Sequence, residues 1–421
     1  MNKKRYKIAI IGTGVAGCAA AYYLNKDHDI TVFEANGYIG GHVNTIDVND
    51  DGNKLSIDTG FIVFNDKTYP NFLSLMDEIG QQSQDSVMSF SVVNKLKNLE
   101  YSGSTVNGLF SQRRNIFSLS FLNMIKDILR FNRTKSNQFE SLGSLSLKDF
   151  LRKNNYSMQF AEDYLLPMAS SIWSAEQKEI LSMPIKFLHN FFHNHGLLQI
   201  KNRPQWKVIQ GGSREYIRKL SATYLEKINL NTKVQSIERN EESVTIGAAD
   251  RGISEDFDYV FIATHSDQAM AMLKNPSQCE EEVLSAIKYQ ENEAILHTDI
   301  SLMPSRKRAW AAWNYHLGET SKTRVNLTYS MNILQNLKSD TQYFVTLNSS
   351  DIIKPECIIR DFKYHHPVFD SDAILAQQRH KEINSGNRTF FCGAYWRNGF
   401  HEDGLVSAQK AVSHFKEQVI Q

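Results

Sequence analysis

Cysteine is scarce in this chain of 421 residues: four in all, Cys18, Cys279, Cys357 and Cys392, far apart and never as a CxxC pair. That usage excludes a disulfide framework and fits a reducing, cytoplasmic setting. No uninterrupted apolar run is long enough to span a bilayer. Neither sign of charge dominates, with 47 Lys and Arg against 46 Asp and Glu. A net charge of +1 removes the broad basic field that argues for nucleic acid, so any basic patch must be local. Internal repeats and low-complexity tracts are also missing. What remains, 41% hydrophobic and 22% charged, describes a folded chain with room for two or three domains. The opening MNKKRYK, followed by apolar residues, has the outline of a signal peptide, but glycines break the apolar core where such a peptide would be helical.

Those glycines carry the strongest signal present. The stretch KIAIIGTGVAGCAAAYYL holds Gly12, Gly14 and Gly17, and HDITVFEA follows and closes on Glu34. Residues 7–11 read as a buried parallel strand, the glycines as a turn into a helix, and residues 30–33 as the next strand. Gly12 permits the tight turn and Gly14 a close approach to a pyrophosphate. Gly17, with Ala19, Ala20 and Ala21, lets helix and sheet pack closely. Phosphates would sit at the helix N-terminus, where free N–H groups and the dipole favour negative charge. Glu34 can accept hydrogen bonds from a ribose 2′-OH and repels a 2′-phosphate, which disfavours NADP. The whole reads as a dinucleotide-binding βαβ unit.

Further along, GYIGGHVNT and LSIDTGFIVFN bring more glycine-dependent approaches, the second within a strand-like run. Residues 69–80 read as a helix ending at Gly80, and alternation at Met88, Phe90 and Val92 before KLKNLEYSG predicts a hairpin in a separate sheet. From Leu109 to Gly196 the pattern is helical. There Phe121, Leu122, Ile125, Ile128 and Leu129 fall on one face, with Lys126, Arg130 and Arg133 along its flank. Residues 112–135 carry six basic residues and one acid. Such a helix either lies in a membrane interface or packs on its own domain with a solvated basic edge. Strand, turn and helix return in PQWKVIQGGSREYIRKL, with Ser213 as the expected N-cap. FDYVFIATH and RTFFCGAYW are further buried strands, and a last helix starts near Asp403 and Gly404.

The expected fold is α/β, with a Rossmann-type nucleotide domain assembled from discontinuous segments at 1–80, 205–265 and 385–421. A mixed-sheet, α+β substrate domain spans 81–108 and 266–384, and a helical subdomain, in one reading membrane-facing, spans 109–204. No second GxGxxG is present, so one tightly held cofactor is the economical reading. Gly12-x-Gly14-x-x-Gly17, Glu34, Gly40-Gly41, IDTGF, Gln210-Gly211-Gly212, Ala263-Thr264 and Gly393…Gly404 together resemble the flavin-containing amine oxidase and phytoene desaturase superfamily. DTGFIVFN, YSGSTVNGLF, LPMASSIWS, FFHNHGLL, RPQW, RAWAAWNY, HHPVF and GFHEDGL are similar to a bacterial subgroup of predicted FAD-dependent oxidoreductases. That subgroup resembles the flavoprotein half of plant cyclopropane fatty acid synthases and is thought to accompany enzymes that modify membrane acyl chains.

The resemblance implies FAD and a set of positions for it. Gly12, Gly14, Val15, Ala16 and Gly17 would hold the pyrophosphate, and Glu34, with Ala35 beside it, the adenosine ribose. Gly40, Gly41 and His42 match a segment passing the phosphates, Thr59, Gly60 and Phe61 one beside the isoalloxazine, and Val234 a backbone contact to adenine. Ala263 and Gly393 complete the cofactor set. Gly404 and Leu405 would open a helix whose N-terminus stabilises the reduced flavin anion. Two departures bear on the reaction. His42 stands where many amine oxidases have arginine, and Glu293 is the nearest counterpart of their lysine that holds a water at the flavin. A carboxylate cannot replace an ammonium there, which counts against amine oxidation with oxygen.

Other residues carry paired readings. His401 or Glu402 is a candidate for proton exchange, the alternative being that they and Asp403 cap the helix. Tyr395 and Trp396 form either an aromatic wall beside the flavin or plain packing. Trp310, Trp313 and Tyr315 line a hydrophobic tunnel or belong to sheet core, and Arg306, Lys307 and Arg308 meet lipid phosphate or form a solvated turn. His189, His193 and His195 have a spacing that suggests metal, but without CxxC or HExxH a packed aromatic helix end is expected, and no metal. The resulting expectation is an FAD-dependent oxidoreductase acting on a hydrophobic or lipid substrate, by desaturation or by double-bond isomerisation. The rivals are a flavin amine oxidase and a non-catalytic accessory to a lipid methyltransferase partner. The expected setting is cytoplasmic or peripheral on the inner face of the membrane, with no nucleic acid.

Overall fold

The computed structural model describes residues 4–135, 138, 145–318 and 326–419. The ranges drawn from sequence also include 1–3, 136–137, 139–144, 319–325 and 420–421, which lie outside the described residues. Five parallel strands form one sheet in the order Ile228–Asn229, Asp29–Phe33, Lys7–Ile11, Tyr259–Ile262, Thr389–Phe391. Widely separated stretches of chain thus meet in one sheet. Ile8, Ala9 and Ile10 are wholly buried, as a parallel strand covered on both faces requires. One face packs against the helices Val15–Leu24 and His401–Val419, the other against Val244, Ile246 and Phe257 of a three-stranded antiparallel sheet.

Only glycine can open the Val15–Leu24 helix as built. A Cβ on Gly17 would lie 1.9 Å from the Gly12 carbonyl oxygen, and Gly12 itself has φ +96°. Ala19, Ala20 and Ala21 are fully buried, which brings helix and sheet together.

A seven-stranded sheet runs Ile358–Pro367, Tyr289–His297, Phe344–Leu347, Leu327–Ser330, Trp313–Leu317, Phe90–Asn94, Leu99–Ser102. All neighbours are antiparallel except Trp313–Leu317 with Phe90–Asn94. Registers align Phe90, Trp313 and Tyr329 across the sheet, then Tyr315, Val92 and Tyr101, and Asn292 with Tyr364. Because side chains alternate, these share one face with Ala294, Leu296, Val345 and Leu347. That face packs on Ile57, Ile62 and Val208. The opposite face buries polar groups that satisfy one another, including His297, Thr328 and Thr346.

Three expectations need correction. In the helix Leu119–Asn132 the core face is Phe121, Met124, Asp127 and Phe131, while Leu122 is turned outward. The apolar periodicity there is broad enough to admit two faces, and packing against Phe150, Phe160 and Phe192 selects the second. LSIDTGFIVFN is two strands, Asn53–Asp58 and Phe64–Asn65, because at Gly60 the backbone passes so near the His42 carbonyl that a Cβ would sit 2.2 Å from it. Ser213 precedes the helix Arg214–Ser221 without capping it; its hydroxyl and N–H both donate to buried Asp58. Thr45 donates to the same carboxylate at 2.6 Å, and burial still pushes it up to about 6. Among the described residues no helix is long and apolar enough to cross a membrane.

Candidate active site

The carboxyl ends of the parallel strands are where a doubly wound sheet takes its ligand. Gly14 begins the helix there without a side-chain cap, and a Cβ on it would meet nothing within 4 Å, which leaves room for a phosphate at the free amides. Gly41 closes over it, its Cβ position 3.3 Å from the Gly14 Cα. Glu34 is buried at the end of its strand and accepts from the Thr13 N–H at 3.0 Å and hydroxyl, and from the Asn36 N–H at 2.8 Å and side-chain amide at 2.9 Å. A carboxylate so fixed is oriented before any ribose arrives. Val234 lies buried just beyond Thr232, whose N–H bonds the Glu34 carbonyl at 2.7 Å, and Ala35 is exposed at the same edge. Ala263 lines the turn, 3.2 Å from the Cβ position of Gly17.

The flavin-side positions also converge. Thr59 Oγ1 and Tyr364 Oη are 2.9 Å apart, Phe61 stacks on His401 with centroids 3.5 Å apart, and Gly404 sits against Val15. Leu405 is buried in the same core. Gly393 is covered by the ring of Tyr395 and its N–H donates to Ser407. Buried polar atoms in this region without a hydrogen-bond partner include His42 Nε2, Tyr395 Oη, Trp396 Nε1 and Gln290 Oε1. Each would cost about 1–3 kcal/mol left unsatisfied. The orphaned atoms, the open Gly14 amides and the pre-oriented Glu34 fit a bound dinucleotide.

Other side chains are committed within the protein. Both oxygens of Glu402 cap the helix Pro70–Glu78, accepting from the N–H of Asn71 at 3.0 Å, its side-chain amide at 2.6 Å, and the N–H of Phe72 at 2.9 Å. His401 Nε2 is 2.6 Å from the Tyr216 hydroxyl, and burial holds its pKa well below the usual histidine range. Asp403 accepts from the N–H groups of Asn398 and Phe400, and burial raises it to about 6. Tyr395 is also buried, its hydroxyl kept protonated by desolvation.

Glu293 does not share the face that meets the cradle. On its strand Asn292, Ala294 and Leu296 point that way, while Glu293 falls on the opposite side with Ile295. The polar groups on the cradle side are Asn292, Gln290, Tyr364 and His366, with no lysine among the described residues. Sequence reasoning missed a histidine group here. His42 stacks on Tyr364 with centroids 5.0 Å apart and lies 5.4 Å from His366 and 6.1 Å from His265, which in turn is 6.1 Å from His365. Desolvation, then mutual repulsion, lowers His42 to about 4 and His265 and His366 to about 3. Asn292 donates its amide to His366 Nδ1 at 3.0 Å. The signals in the sequence were His42 after the Gly40-Gly41 pair, the doublet in HHPVF and the histidine closing FDYVFIATH, with nothing to link them.

His189 bonds the Thr134 carbonyl, and His195 stacks on Phe191 at 3.8 Å and bonds its carbonyl, so these rings sit in an aromatic helix end. Trp310 donates to the Pro304 carbonyl, whereas Trp313 and Tyr315 lie on the aromatic sheet face. Arg306 pairs with Glu100 at 3.1 Å. A cleft of about 530 Å³ opens between Trp173–Met183 and the strand ends at Tyr289–Glu291 and Pro367–Asp370, with Glu176, Glu179, Glu291 and Asp370 at its rim beside Lys288.

A glycine-turn parallel sheet, an acidic ribose anchor and a mixed sheet folded over the cradle define a dinucleotide-dependent oxidoreductase of the flavoprotein type. The sequence model for flavin containing amine oxidoreductases matches residues 15–333, and the chain belongs to that family; its cofactor is FAD. Among solved structures it is similar to a protein assigned as a protoporphyrinogen oxidase from Exiguobacterium sp. 255-15, at 15% identity and TM-score 0.70 over all of both chains. It is also similar to a conjugated-linoleic-acid (CLA)-producing fatty acid isomerase from P. acnes, at 16% identity and TM-score 0.66 over 97% of this chain and 98% of that one. Cyclohexylamine oxidase from Brevibacterium oxydans IH-35A matches at 15% identity and TM-score 0.63, over 99% of this chain and 100% of that one. At these identities the likeness is one of fold. No curated protein sequence matches the chain.

Proposed function

We propose that this oxidoreductase acts on an apolar substrate, the acyl chain of a membrane lipid, by desaturation or by a double-bond shift without net redox. The observation that carries the reading is the sheet face over the cradle: Phe90, Trp313, Tyr315, Tyr329 and Tyr364, with no lysine, aspartate or glutamate among them. Such a surface excludes water and suits an apolar chain. FAD, when bound, supplies two-electron redox chemistry. Glu34 and the Val15–Leu24 amides would bind and orient it, and the open edge of the aromatic face at Tyr364 and His42 would meet the chain. His42, held neutral by burial, offers the unpartnered Nε2 as a site to hold a proton. His401 and Glu402 position the start of the last helix. The fold, shared with a fatty acid isomerase and with cyclohexylamine oxidase alike, is compatible with acyl-chain chemistry.

One observation favours a second reading. The cleft at Trp173–Met183 has an acidic rim that suits a cationic amine. Its carboxylates are largely engaged, however: Glu291 with Lys363, Asp370 with Lys288, and Glu176 with Lys178. Anaerobic mixing separates the two. A desaturation predicts bleaching of the flavin absorbance by phospholipid or fatty acid and not by amines, and a double-bond shift predicts altered acyl chains without bleaching; bleaching by amines with acyl chains unaltered would sink the acyl-chain reading.

A further inference from the structure

Away from the cradle, the corner between the short helix Arg113–Phe117 and the helix Leu119–Asn132 carries apolar side chains that the core does not use. Phe117 is 86% exposed, Leu119 79%, and Met158, on the adjoining helix, 74%. Ile116 and Leu122 are exposed beside them. The inward face of Leu119–Asn132 is already filled by Phe121, Met124 and Phe131, so these side chains contribute nothing to folding that explains their keep. Nor is the corner slack. Ser118 caps the helix through the Phe121 N–H, and the Asp127 carboxylate accepts from the Ser157 N–H at 2.9 Å, fixing the segment that bears Met158.

The exposed charged side chains on the two corner helices are basic. Arg113, Arg114 and Lys126 are exposed, and the two arginines are held by carbonyl oxygens: Arg113 by those of Phe110 and the Asn107 side chain, Arg114 by that of Asn98. Asp127, the one acid between 112 and 135, is buried and paired with Arg130. Beneath the corner lies a cavity of about 630 Å³ lined by Arg114, Phe117, Phe121 and Met158 together with Lys97 and Asn115. Lys97 is already neutralised by Glu162 and Asp163, each at 2.9 Å, so Arg114 is the cation the cavity offers.

We propose that this corner docks the protein on an anionic phospholipid surface, Phe117, Leu119 and Met158 entering the acyl layer while Arg113 and Arg114 meet headgroup phosphates. Protruding apolar side chains flanked by exposed arginines that no carboxylate neutralises are what an interfacial site on an anionic lipid surface needs. The inference goes beyond the substrate reading and does not depend on it. Flotation reports docking, flavin bleaching reports the substrate, and either can fail alone.

The test is flotation of the FAD-loaded protein with vesicles of phosphatidylcholine, with and without phosphatidylglycerol. The protein should float with the anionic vesicles only, and salt should release it. An Arg113→Gln, Arg114→Gln double variant should partition about thirtyfold more weakly. A Phe117→Ser, Leu119→Ser double variant should lose at least about tenfold, while Leu225→Ser, an exposed apolar position off the corner, changes nothing. Retained flavin absorbance shows that each variant is folded. Wild-type protein that stays unbound, equal flotation by the corner variants, or lipid-independent self-association abolished by the Phe117 and Leu119 changes would overturn the proposal.

Discussion

Replacing Glu402 by alanine separates a structural carboxylate from a catalytic one. The helix Pro70–Glu78 begins at proline, which has no N–H to satisfy, and Tyr69 before it supplies no side-chain cap. The next two N–H groups, of Asn71 and Phe72, both donate to Glu402, more than three hundred residues away in sequence. Glu402→Ala leaves two partly or fully buried donors without an acceptor, at about 1–3 kcal/mol each before water intrudes. A total near 2–4 kcal/mol follows, which for a chain this long lowers Tm by about 2–5 °C. Glu402→Gln keeps one acceptor oxygen and should lose about half as much. Calorimetry of the FAD-loaded protein measures the first quantity, and stopped-flow flavin reduction the second. Reduction should change less than about threefold once the variant is folded. A drop of about a hundredfold or more with Tm unchanged is the signature of proton transfer and would refute the capping role.

Three further outcomes are expected. Glu34→Ala removes the acceptor for ribose hydroxyls and releases Thr13 and Asn36, so FAD affinity followed by fluorescence should fall about a hundredfold, the worth of two charged hydrogen bonds; an unchanged Kd would exclude Glu34 from the site. Gly17→Ala drives a Cβ into the Gly12 carbonyl and should yield protein that neither folds stably nor retains FAD, visible as loss of flavin absorbance on purification. Acid should destabilise the FAD-free protein: His42 at about 4 and His265 and His366 at about 3 stay neutral in the fold, whereas the unfolded chain binds protons from about 6.5 downward. That stability is fully present above pH 6.5 and is lost as pH falls toward 4. Asp58 and Asp403, raised to about 6, act oppositely, favouring the fold below 3.8 and losing that contribution as pH rises through 6. Buried histidines outnumber them, so Tm should fall on acidification in this window, and a rise would contradict the assignment.

The nucleotide cradle was legible because its constraints are local. Gly12, Gly14, Gly17 and Glu34 lie within one βαβ length, and the sterics that demand glycine act between neighbours in sequence. The strand Lys7–Ile11 falls where a short, continuous apolar, isoleucine-rich run puts it. The histidine group was not legible. His42, His265 and His366 are brought together by a turn, a strand end and the edge of a second sheet, and no periodicity links them. Glu402 looked catalytic for the same reason: its partner helix is distant in sequence, and the need for a cap arises from a proline at 70. In Leu119–Asn132 the amphipathic character was readable but the inward face was not, since only the aromatic partners decide between two overlapping stripes.

The central claim is that the flavin chemistry of this protein is directed at an acyl chain. Incubating FAD-loaded protein with defined phospholipid and an electron acceptor, then releasing the acyl chains for mass spectrometry, tests it most directly because it registers both a desaturation and a double-bond shift. Chains that have lost a hydrogen pair, or whose double bond has moved, are predicted, with no such change for protein without FAD. Unaltered acyl chains alongside conversion of an amine to its aldehyde would contradict the account.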